Sequence, residues 1–283
     1  MFSFHVPNTS PYIIPPTVRS TPQAPNAKHS ERDDLSCLHL THTSRSCTMA
    51  GGDDLKLLGT WPSPFAIRVK LALALKGLSY EYTEEDLASK SELLLSSNPV
   101  HKKIPVLIHN GVPVCESNLI VEYVDEAFAG PAILSADPYE RATARFWAAY
   151  ADDKVFASWA TMLLRGKTEE EKSEGKKALF VALETMEGAL AKCSDGKGFF
   201  GGDSVGLVDL ALGSQLSWLK TAEVMSGEEF LGGDKTPLLA AWAARFSELD
   251  ATKAVLPDVN KVVEFCKMKQ ARMAAAAAPA SNN

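Results

Sequence analysis

Ser63 stands between two prolines in the run Trp61-Pro-Ser-Pro-Phe65, after one short apolar segment and before another. The prolines restrict the backbone on both sides of the serine. A helix that begins here would place the positive end of its dipole beside the hydroxyl. No Gly-x-Ser-x-Gly motif surrounds Ser63, which argues against a covalent serine nucleophile. A hydroxyl in this position can instead donate a hydrogen bond to an anion, and such a bond lowers the pKa of a bound thiol. The alternative is an ordinary serine in a turn.

A second group of candidates lies around a predicted β-hairpin. Two β-rich runs, Val106–His109 and Val112–Cys115, flank Asn110-Gly111, which is the strongest short-range hairpin signal. Ile104 and Pro105 precede the first run. An X-Pro bond at a strand entry can be cis, and because proline has no N–H, the backbone of the preceding residue can be left for a ligand.

The period of the apolar residues changes after the hairpin and predicts a helix that opens on Glu116 and Ser117. A helix N-terminus with a serine hydroxyl can hold a carboxylate. Lys90, Lys103 and Arg68 are further candidates for carboxylate binding, and Glu116 could pair with an amino group. The alternative is a hairpin packed on a helix, with Ser117 as an ordinary cap and the basic side chains on solvated faces.

Composition and charge exclude several classes of protein. The chain has 283 residues, 46% of them hydrophobic, and a net charge of −6. Its apolar stretches are far shorter than the ~18 residues of a membrane span, and it has no basic cluster of the kind that binds nucleic acid. Its 5 cysteines are widely spaced and form no C-x-x-C, which argues against a disulfide scaffold and predicts a reducing compartment, the cytoplasm. The histidines form no ligand pairing, so no metal is predicted.

The chain divides into segments of different character. Residues 54–128 read as β-α-β-α-β-β-α, which predicts an α/β unit of thioredoxin-like type. Residues 129–136 are predicted to be a linker, residues 137–273 an all-α domain, and residues 274–283 a low-complexity tail. Residues 1–48 have no sustained periodicity. We interpret them as a disordered extension or an artefact of the gene model with Met49 as the usual start, rather than as a transit peptide, because they contain few arginines and an acidic run.

Local signals predict where individual helices begin and end. The sequence predicts helices over Ala66–Lys76, closed by Gly77, and over Leu87–Ser97. In the second half, Asp137 is an N-cap for a helix that reaches about Leu164, and Thr168 with Glu171 forms a capping box. Further predicted helices start near Gly206, Pro237 and Pro257, and Asp209 is predicted to bind the backbone at the start of its own helix.

Together these segments resemble a known family, the plant glutathione S-transferases of the tau class. The resemblance covers about Asp54 to Arg272, in order and without large gaps. It rests on Trp61-Pro-Ser-Pro-Phe-Ala-Ile-Arg-Val-Lys, Tyr80-Glu-Tyr, Asn98-Pro-Val-His-Lys-Lys-Ile-Pro-Val-Leu-Ile-His-Asn-Gly, Cys115-Glu-Ser, Asp137-Pro-Tyr-Glu-Arg-Ala and Phe200-Gly-Gly-Asp with Gly206-Leu-Val-Asp-Leu-Ala-Leu.

The resemblance implies a thioredoxin-like domain that binds glutathione and an all-α domain that supplies the electrophile pocket. It implies that Ser63 is the catalytic serine and that Ile104 binds the cysteinyl part of glutathione through its backbone, before a cis Pro105. The remaining implied contacts are the glycine carboxylate at Lys90 and Lys103, and the γ-glutamyl end at Glu116 and Ser117.

The electrophile pocket resembles the family less closely. Phe65 and Trp218 fall on hydrophobic wall positions. Phe156, Ala160 and Leu163 stand where some relatives carry Tyr, Arg and Trp. The hypothesis that follows is a wider, less polar pocket that prefers bulky apolar electrophiles.

The implied activity is conjugation of the glutathione thiolate to apolar electrophiles in detoxification and stress response, by a homodimer that uses glutathione as co-substrate. The same thiolate could reduce organic hydroperoxides. Because Ser rather than Cys occupies position 63, mixed-disulfide chemistry is disfavoured. The alternative is a non-catalytic carrier of apolar small molecules.

Overall fold

The computed structural model describes residues 54–277. The predictions for residues 1–48 and for residues 278–283 of the predicted tail lie outside the described residues. Within the described part, a sheet with helices forms the first half of the chain, and helices alone form the elements of the second half.

A mixed four-stranded sheet organises the first half. Its strands are β1 (Leu55–Gly59), β2 (Glu81–Glu84), β3 (Val106–His109) and β4 (Val112–Cys115), in the order β2-β1-β3-β4. β1 pairs in parallel with β2 and antiparallel with β3, and β3 pairs antiparallel with β4 through the predicted hairpin. The end of β1 therefore lies beside the beginning of β3 and the end of β4.

Three helices accompany the sheet: α1 (Pro64–Leu75), α2 (Glu92–Ser97) and α3 (Ser117–Ala127). The apolar face of α1 is almost fully buried against α3 and the sheet. Gly77 takes a positive φ of 67° just after α1, as expected for a helix-terminating glycine. α2 is shorter than the predicted Leu87–Ser97, because the Asp86 carboxylate and carbonyl hold residues 86–89 in a turn and Ser91 caps the helix.

The second half is helical in the described residues. It begins with α4 (Pro138–Tyr150), which continues through a π-helical segment (Ala151–Phe156), α5 (Ala157–Ala160) and a second π-helical segment (Thr161–Arg165). The helices that follow are α6 (Glu169–Cys193), α7 (Leu207–Gly213), α8 (Leu216–Ser226), α9 (Pro237–Glu248), α10 (Asp250–Val255) and α11 (Val259–Ala277). α11 extends into the predicted tail as far as Ala277.

Most of the predicted helix starts are present. The Asp137 carboxylate accepts hydrogen bonds from two N–H groups of α4, and Thr168 Oγ1 accepts one from Glu171 N. The capping box is only half formed, because the Glu171 carboxylate accepts from Lys167 N instead of Thr168 N. The helix predicted from Gly206 is divided into α7 and α8. At the break, the Gln215 side-chain amide donates to the carbonyls of Ala151 and Ala211.

Within residues 54–277, no helix is long and apolar enough to cross a membrane.

Candidate functional site

Ser63 is the N-cap of α1, and its side chain is half-buried. Its hydroxyl oxygen accepts a long hydrogen bond of 3.4 Å from Ala66 N, and its own N–H donates to Thr60 O at 3.0 Å. The hydroxyl proton remains able to donate to a ligand. The first N–H groups of a helix have no intrahelical partner and carry partial positive charge, so an anion is favoured at this position.

The Glu84 carboxylate holds the turn before Ser63. It accepts hydrogen bonds from Thr60 Oγ1 at 2.8 Å, from Trp61 N at 2.9 Å and from Tyr82 OH at 2.6 Å. Burial opposes ionisation of Glu84, but these hydrogen bonds and the Lys70 charge outweigh it and lower the pKa of the carboxyl. Burial and the same carboxylate raise the pKa of Tyr82. The turn is therefore bound to an ionised carboxylate at the end of β2.

The Trp218 indole holds the turn from the helical half. Trp218 Nε1 donates to Pro62 O at 2.7 Å, and the side chain is 2% exposed. Its ring stacks on Trp159, with centroids 4.6 Å apart, and Trp159 Nε1 donates to the Gln215 side chain. α8 therefore fixes the carbonyl immediately before Ser63.

The peptide bond between Ile104 and Pro105 is cis, and β3 begins at the next residue. Val106 pairs with Cys115, so this bond lies beside the Glu116 end of the hairpin. Leu58 of β1 pairs with the same Val106. The register therefore gathers the end of β1, the cis peptide and the start of α3 at one edge of the sheet.

The two predicted lysines lie on either side of α2. Lys90 precedes this helix, and Lys103 lies in the loop between α2 and β3 that leads to this edge. Lys90 Nζ donates to Lys102 O at 2.9 Å, and the Asn98 side-chain amide donates to Lys103 O at 3.0 Å. Lys90 and Lys103 are both exposed. The Lys90 hydrogen bond thus brings a second solvent-accessible ammonium group to the loop that carries Lys103 and the cis bond, and an ammonium group can bind a carboxylate.

Glu116 is the N-cap of α3 and has a positive φ of 71°. A non-glycine residue in this region is uncommon and is often held so at a functional site. The Glu116 carboxylate is exposed and lies 4.0 Å from His101 Nε2. Ser117 is 7% exposed, and its hydroxyl accepts from Arg68 Nη1 at 2.9 Å. Ser117 is therefore the first helical residue, not the cap.

Arg68 does not present its charge to a ligand. It is fully buried in α1, where it donates to Ser117 Oγ, Asn118 Oδ1 and both carboxylate oxygens of Asp152. The prediction that Arg68 could bind the carboxylate of a ligand is wrong, because a buried guanidinium with a bidentate carboxylate partner is already neutralised. The network instead fixes the start of α3 against α1 and the helical half. Sequence reasoning assigned no role to the side chains of Asn118, Asp152, Glu84 and Tyr82.

The predicted acceptor residues fall into two groups. Phe65 and Phe156 are half-buried, and their rings meet edge-to-face with centroids 4.8 Å apart. Ala160, Leu163 and Trp218 are only 2%, 3% and 2% exposed. Leu163 lies under α11, where its carbonyl accepts from the Gln270 side chain. Phe65 and Phe156 therefore offer surface to an acceptor, whereas the other three side chains pack behind that surface.

Residues 54–277 contain no group of three or more metal-ligating side chains close enough to hold an ion. A cleft of about 850 Å³ lies elsewhere, lined by the linker, α4, the end of α6 and the loop before α7, and none of the predicted site residues lines it.

Comparison with known proteins places these features in a family. The model of the glutathione S-transferase N-terminal domain matches residues 53–126, and that of the C-terminal domain matches residues 142–250. The chain is 53% identical over 223 residues to the probable glutathione S-transferase GSTU6 of Oryza sativa subsp. japonica, covering 77% of this chain and 94% of that protein. It is 48% identical over 217 residues to glutathione S-transferase U18 of Arabidopsis thaliana, covering 76% and 95%.

Solved structures agree. The tau-class glutathione S-transferase MiGSTU from mango, Mangifera indica, shares 49% identity with a TM-score of 0.72, covering 76% of this chain and 98% of that chain. Rice GST1 (OsGSTU1), solved in complex with glutathione, shares 40% identity with a TM-score of 0.71, covering 78% and 98%. The predicted fold class, a thioredoxin-like α/β half followed by an all-α half, is confirmed. The chain belongs to the glutathione S-transferase family, within its tau class, and is an enzyme of that kind.

Proposed function

We propose that the protein conjugates the thiolate of glutathione to electrophilic small molecules, with Ser63 as the catalytic residue. The observation that carries the proposal is the convergence at one sheet edge of the Ser63 hydroxyl, the cis Ile104-Pro105 bond and the start of α3 at Glu116. A tripeptide with two charged ends and a central thiol fits such an arrangement.

Ser63 stabilises the thiolate. Its oxygen receives only the long 3.4 Å bond from Ala66 N, so its O–H is available for a sulfur anion. The dipole of α1 supports the negative charge at the same point. A hydrogen bond to the charged form lowers the pKa of the thiol and raises the thiolate fraction at neutral pH.

The charged ends of glutathione are held on either side of the sulfur. Lys90 and Lys103 bind the glycine carboxylate, and the Ile104 backbone pairs with the cysteinyl part. At the other end, the Glu116 carboxylate binds the ammonium group of the γ-glutamyl residue. The Ser117 hydroxyl and the first N–H groups of α3 bind its carboxylate.

The reaction joins the sulfur to the electrophile. The thiolate attacks an electrophilic carbon held against Phe65 and Phe156, a C–S bond forms, and in a substitution the leaving group departs with its electron pair. Holding both reactants together supplies much of the rate through proximity. This chemistry suits detoxification. Reduction of organic hydroperoxides by the same thiolate and a carrier role for apolar ligands are the alternatives.

The proposal is tested by the rate of glutathione conjugation to a chromogenic aryl halide, with Ser63→Ala beside the wild type. We expect kcat/KM to fall at least about tenfold, while glutathione still binds. Ser89→Ala, an exposed serine in a turn, is the matched control and should change nothing. Activity that is unaffected by Ser63→Ala would remove Ser63 from the mechanism. Tight binding of glutathione and apolar ligands without conjugation by the wild type would favour the carrier.

We also propose that the protein is a homodimer of the cytoplasm. Arg145 of α4 pairs with Glu122 of α3, so the outer faces of these helices adjoin. Leu119 and Phe146 are 58% and 62% exposed on these two helices, and a second copy of the chain would cover them. Sedimentation equilibrium of Phe146→Glu should show a weakened dimer, whereas Val224→Glu, at an equally exposed position on α8, should leave it intact. A monomeric wild type would contradict the proposal.

A further inference from the structure

Six aromatic side chains form a closed loop that begins and ends on either side of Ser63. Successive ring centroids lie 4.8, 5.0, 4.6, 6.2 and 5.4 Å apart, in the order Phe65, Phe156, Trp159, Trp218, Phe265 and Trp61. Because Trp61 and Phe65 belong to the same turn, the loop closes through the backbone that carries Ser63. A thiolate that Ser63 stabilises therefore lies next to an aromatic surface.

The burial of the six rings changes around this loop. Trp159 and Trp218 are 1% and 2% exposed, whereas Trp61, Phe65, Phe156 and Phe265 are only half-buried. The two tryptophans form the back of the loop, and the four other rings form walls that solvent can reach. Flat rings with edge-to-face neighbours favour another aromatic ring as their partner.

Three exposed cations lie over the solvent-accessible walls. The Arg165 guanidinium carbon is 4.9 Å from the Phe156 centroid, Lys261 Nζ is 4.9 Å from the Trp61 centroid, and Lys269 Nζ is 5.5 Å from the Phe265 centroid. Each distance is within the range of a cation–π contact. These contacts hold the cations close to the aromatic surface.

None of these three cations has a carboxylate within ion-pair distance among residues 54–277. Glu264 of α11 and Asp258, just before α11, are already engaged. Glu264 pairs with Lys267 at 3.0 Å, and the Asp258 carboxylate accepts from the backbone N–H of Lys261. The rim of the aromatic loop thus carries positive charge that no carboxylate of the described residues pairs with.

We propose that the preferred electrophile is an aromatic compound that carries an anionic substituent, such as a carboxylate or a sulfonate. This inference rests on the proposed role of Ser63 and adds the class of acceptor. The aromatic ring of the acceptor lies against Phe65, Phe156 and Trp61, and its anionic group faces Arg165 or Lys269. With an aryl halide, the glutathione thiolate forms a C–S bond at the halogen-bearing carbon, halide leaves with the bonding electrons, and the thiol proton passes to solvent.

The proposal refines the expectation of bulky apolar electrophiles. That expectation depended on Phe156, Ala160 and Leu163, and two of these three side chains are buried behind the aromatic surface. The surface that an acceptor can reach is aromatic, and Arg165, Lys261 and Lys269 lie over three of its rings. An anionic group at the rim gains an attraction that a neutral group does not.

The test uses 4-chloro-3,5-dinitrobenzoate and its methyl ester, which share a ring, a leaving group and two nitro groups but differ by one negative charge. Rates are divided by the uncatalysed reaction with glutathione at the same pH. We expect the wild type to prefer the carboxylate, and we expect Arg165→Gln with Lys269→Gln to lower kcat/KM for the carboxylate about fivefold while the ester changes less than about twofold. Lys177→Gln, an exposed lysine on α6 paired with Glu174, is the control.

Raising the ionic strength should reduce the carboxylate preference of the wild type, because salt screens exposed charges. Equal corrected rates on the two acceptors, or an equal loss on both in the double variant, would overturn the inference. Ser63→Ala assayed with the ester separates the two proposals. If the ester reaction depends on Ser63 and no carboxylate preference is found, only the acceptor class is wrong. If the ester reaction does not depend on Ser63, the proposed role of Ser63 is wrong.

Discussion

The turns before α1 and before α7 each combine one carboxylate with one indole, but the indole binds the turn backbone at α1 and the carboxylate at α7. Glu84 and Trp218 bind the backbone of the turn before Ser63. At α7, Asp209 accepts from the backbone N–H groups of Phe200, Gly201 and Gly206, and from Trp242 Nε1 at 2.7 Å.

The difference lies in what is left unbonded. Asp209 is fully buried, and all of its hydrogen-bonding partners are internal. The turn before α1 leaves the Ser63 hydroxyl half-exposed with one long hydrogen bond. A carboxylate and an indole can thus either stabilise a turn or position a functional site. The hydroxyl of Ser63, which can still donate a hydrogen bond at the start of α1, distinguishes the functional turn from the structural one.

The largest expected effect is on the turn before α7. Asp209→Ala leaves three backbone N–H groups and one indole N–H without a partner, and all but the Gly201 N–H are buried. Each unpaired buried donor costs about 1–3 kcal/mol. We expect urea unfolding to show a loss of at least about 4 kcal/mol. Asp209→Asn keeps one acceptor oxygen, so its free energy of unfolding should lie between those of the wild type and Asp209→Ala. The control is Asp203→Ala, which removes an exposed partner of Lys197 and should leave the free energy of unfolding unchanged. A loss below about 1 kcal/mol in Asp209→Ala would contradict the structural role given to Asp209.

Short sequence motifs were sufficient to predict many of the turns and helix starts. The hairpin at Asn110-Gly111, the N-caps Asp137 and Thr168, and the bond from Asp209 to its own helix start are all present. Each involves residues only a few positions apart, so the physical cause and the sequence signal lie in the same window.

The contacts that build the site from distant segments could not be predicted. Arg68 and Asp152 are 84 residues apart, and Trp218 reaches Pro62 across 156 residues. Only the packing of the helical half against α1 and the turn before it brings these pairs together. In the sequence, a buried arginine looks like any other basic residue on a helix, so Arg68 could be only a candidate for binding a ligand carboxylate.

Removing the indole N–H of Trp218 should affect catalysis, whereas removing that of Trp242 should affect stability. Trp218→Phe frees Pro62 O, loosens the turn and should lower kcat about fivefold, because the position of the Ser63 hydroxyl is relaxed. The pH profile of kcat/KM should also move to higher pH, since a misplaced donor lowers the thiol pKa less. Trp242→Phe should reduce stability by about 1–2 kcal/mol and leave kcat and the profile unchanged. If the pH profile of kcat/KM shifted in Trp242→Phe but not in Trp218→Phe, the turn before α7 rather than the turn before Ser63 would control the thiol pKa.

The smallest expected effect is a difference in how the stabilisation from Glu84 and that from Asp209 depend on pH. Burial raises the pKa of Asp209 above its ordinary value, although four hydrogen bonds oppose this, whereas the bonds to Glu84 lower its pKa despite partial burial. The stabilisation from Glu84 is therefore complete above its ordinary pKa of 4.5 and is lost as the pH falls through its lower folded value. The contribution of Asp209 has the opposite sign, and it is lost as the pH rises through its raised value.

Glu84→Gln tests this sign directly. The free energy of unfolding of the wild type should exceed that of the variant more at about pH 6 than at about pH 3.5, because protonation makes the wild-type carboxyl resemble the amide. Glu126→Gln on α3, at an exposed position, should show no such pH dependence. A gap that widens on acidification would mean that burial dominates at Glu84 as it does at Asp209. The turn before Ser63 would then be held by a neutral carboxyl, and the difference between the two regions would rest on the Ser63 hydroxyl alone.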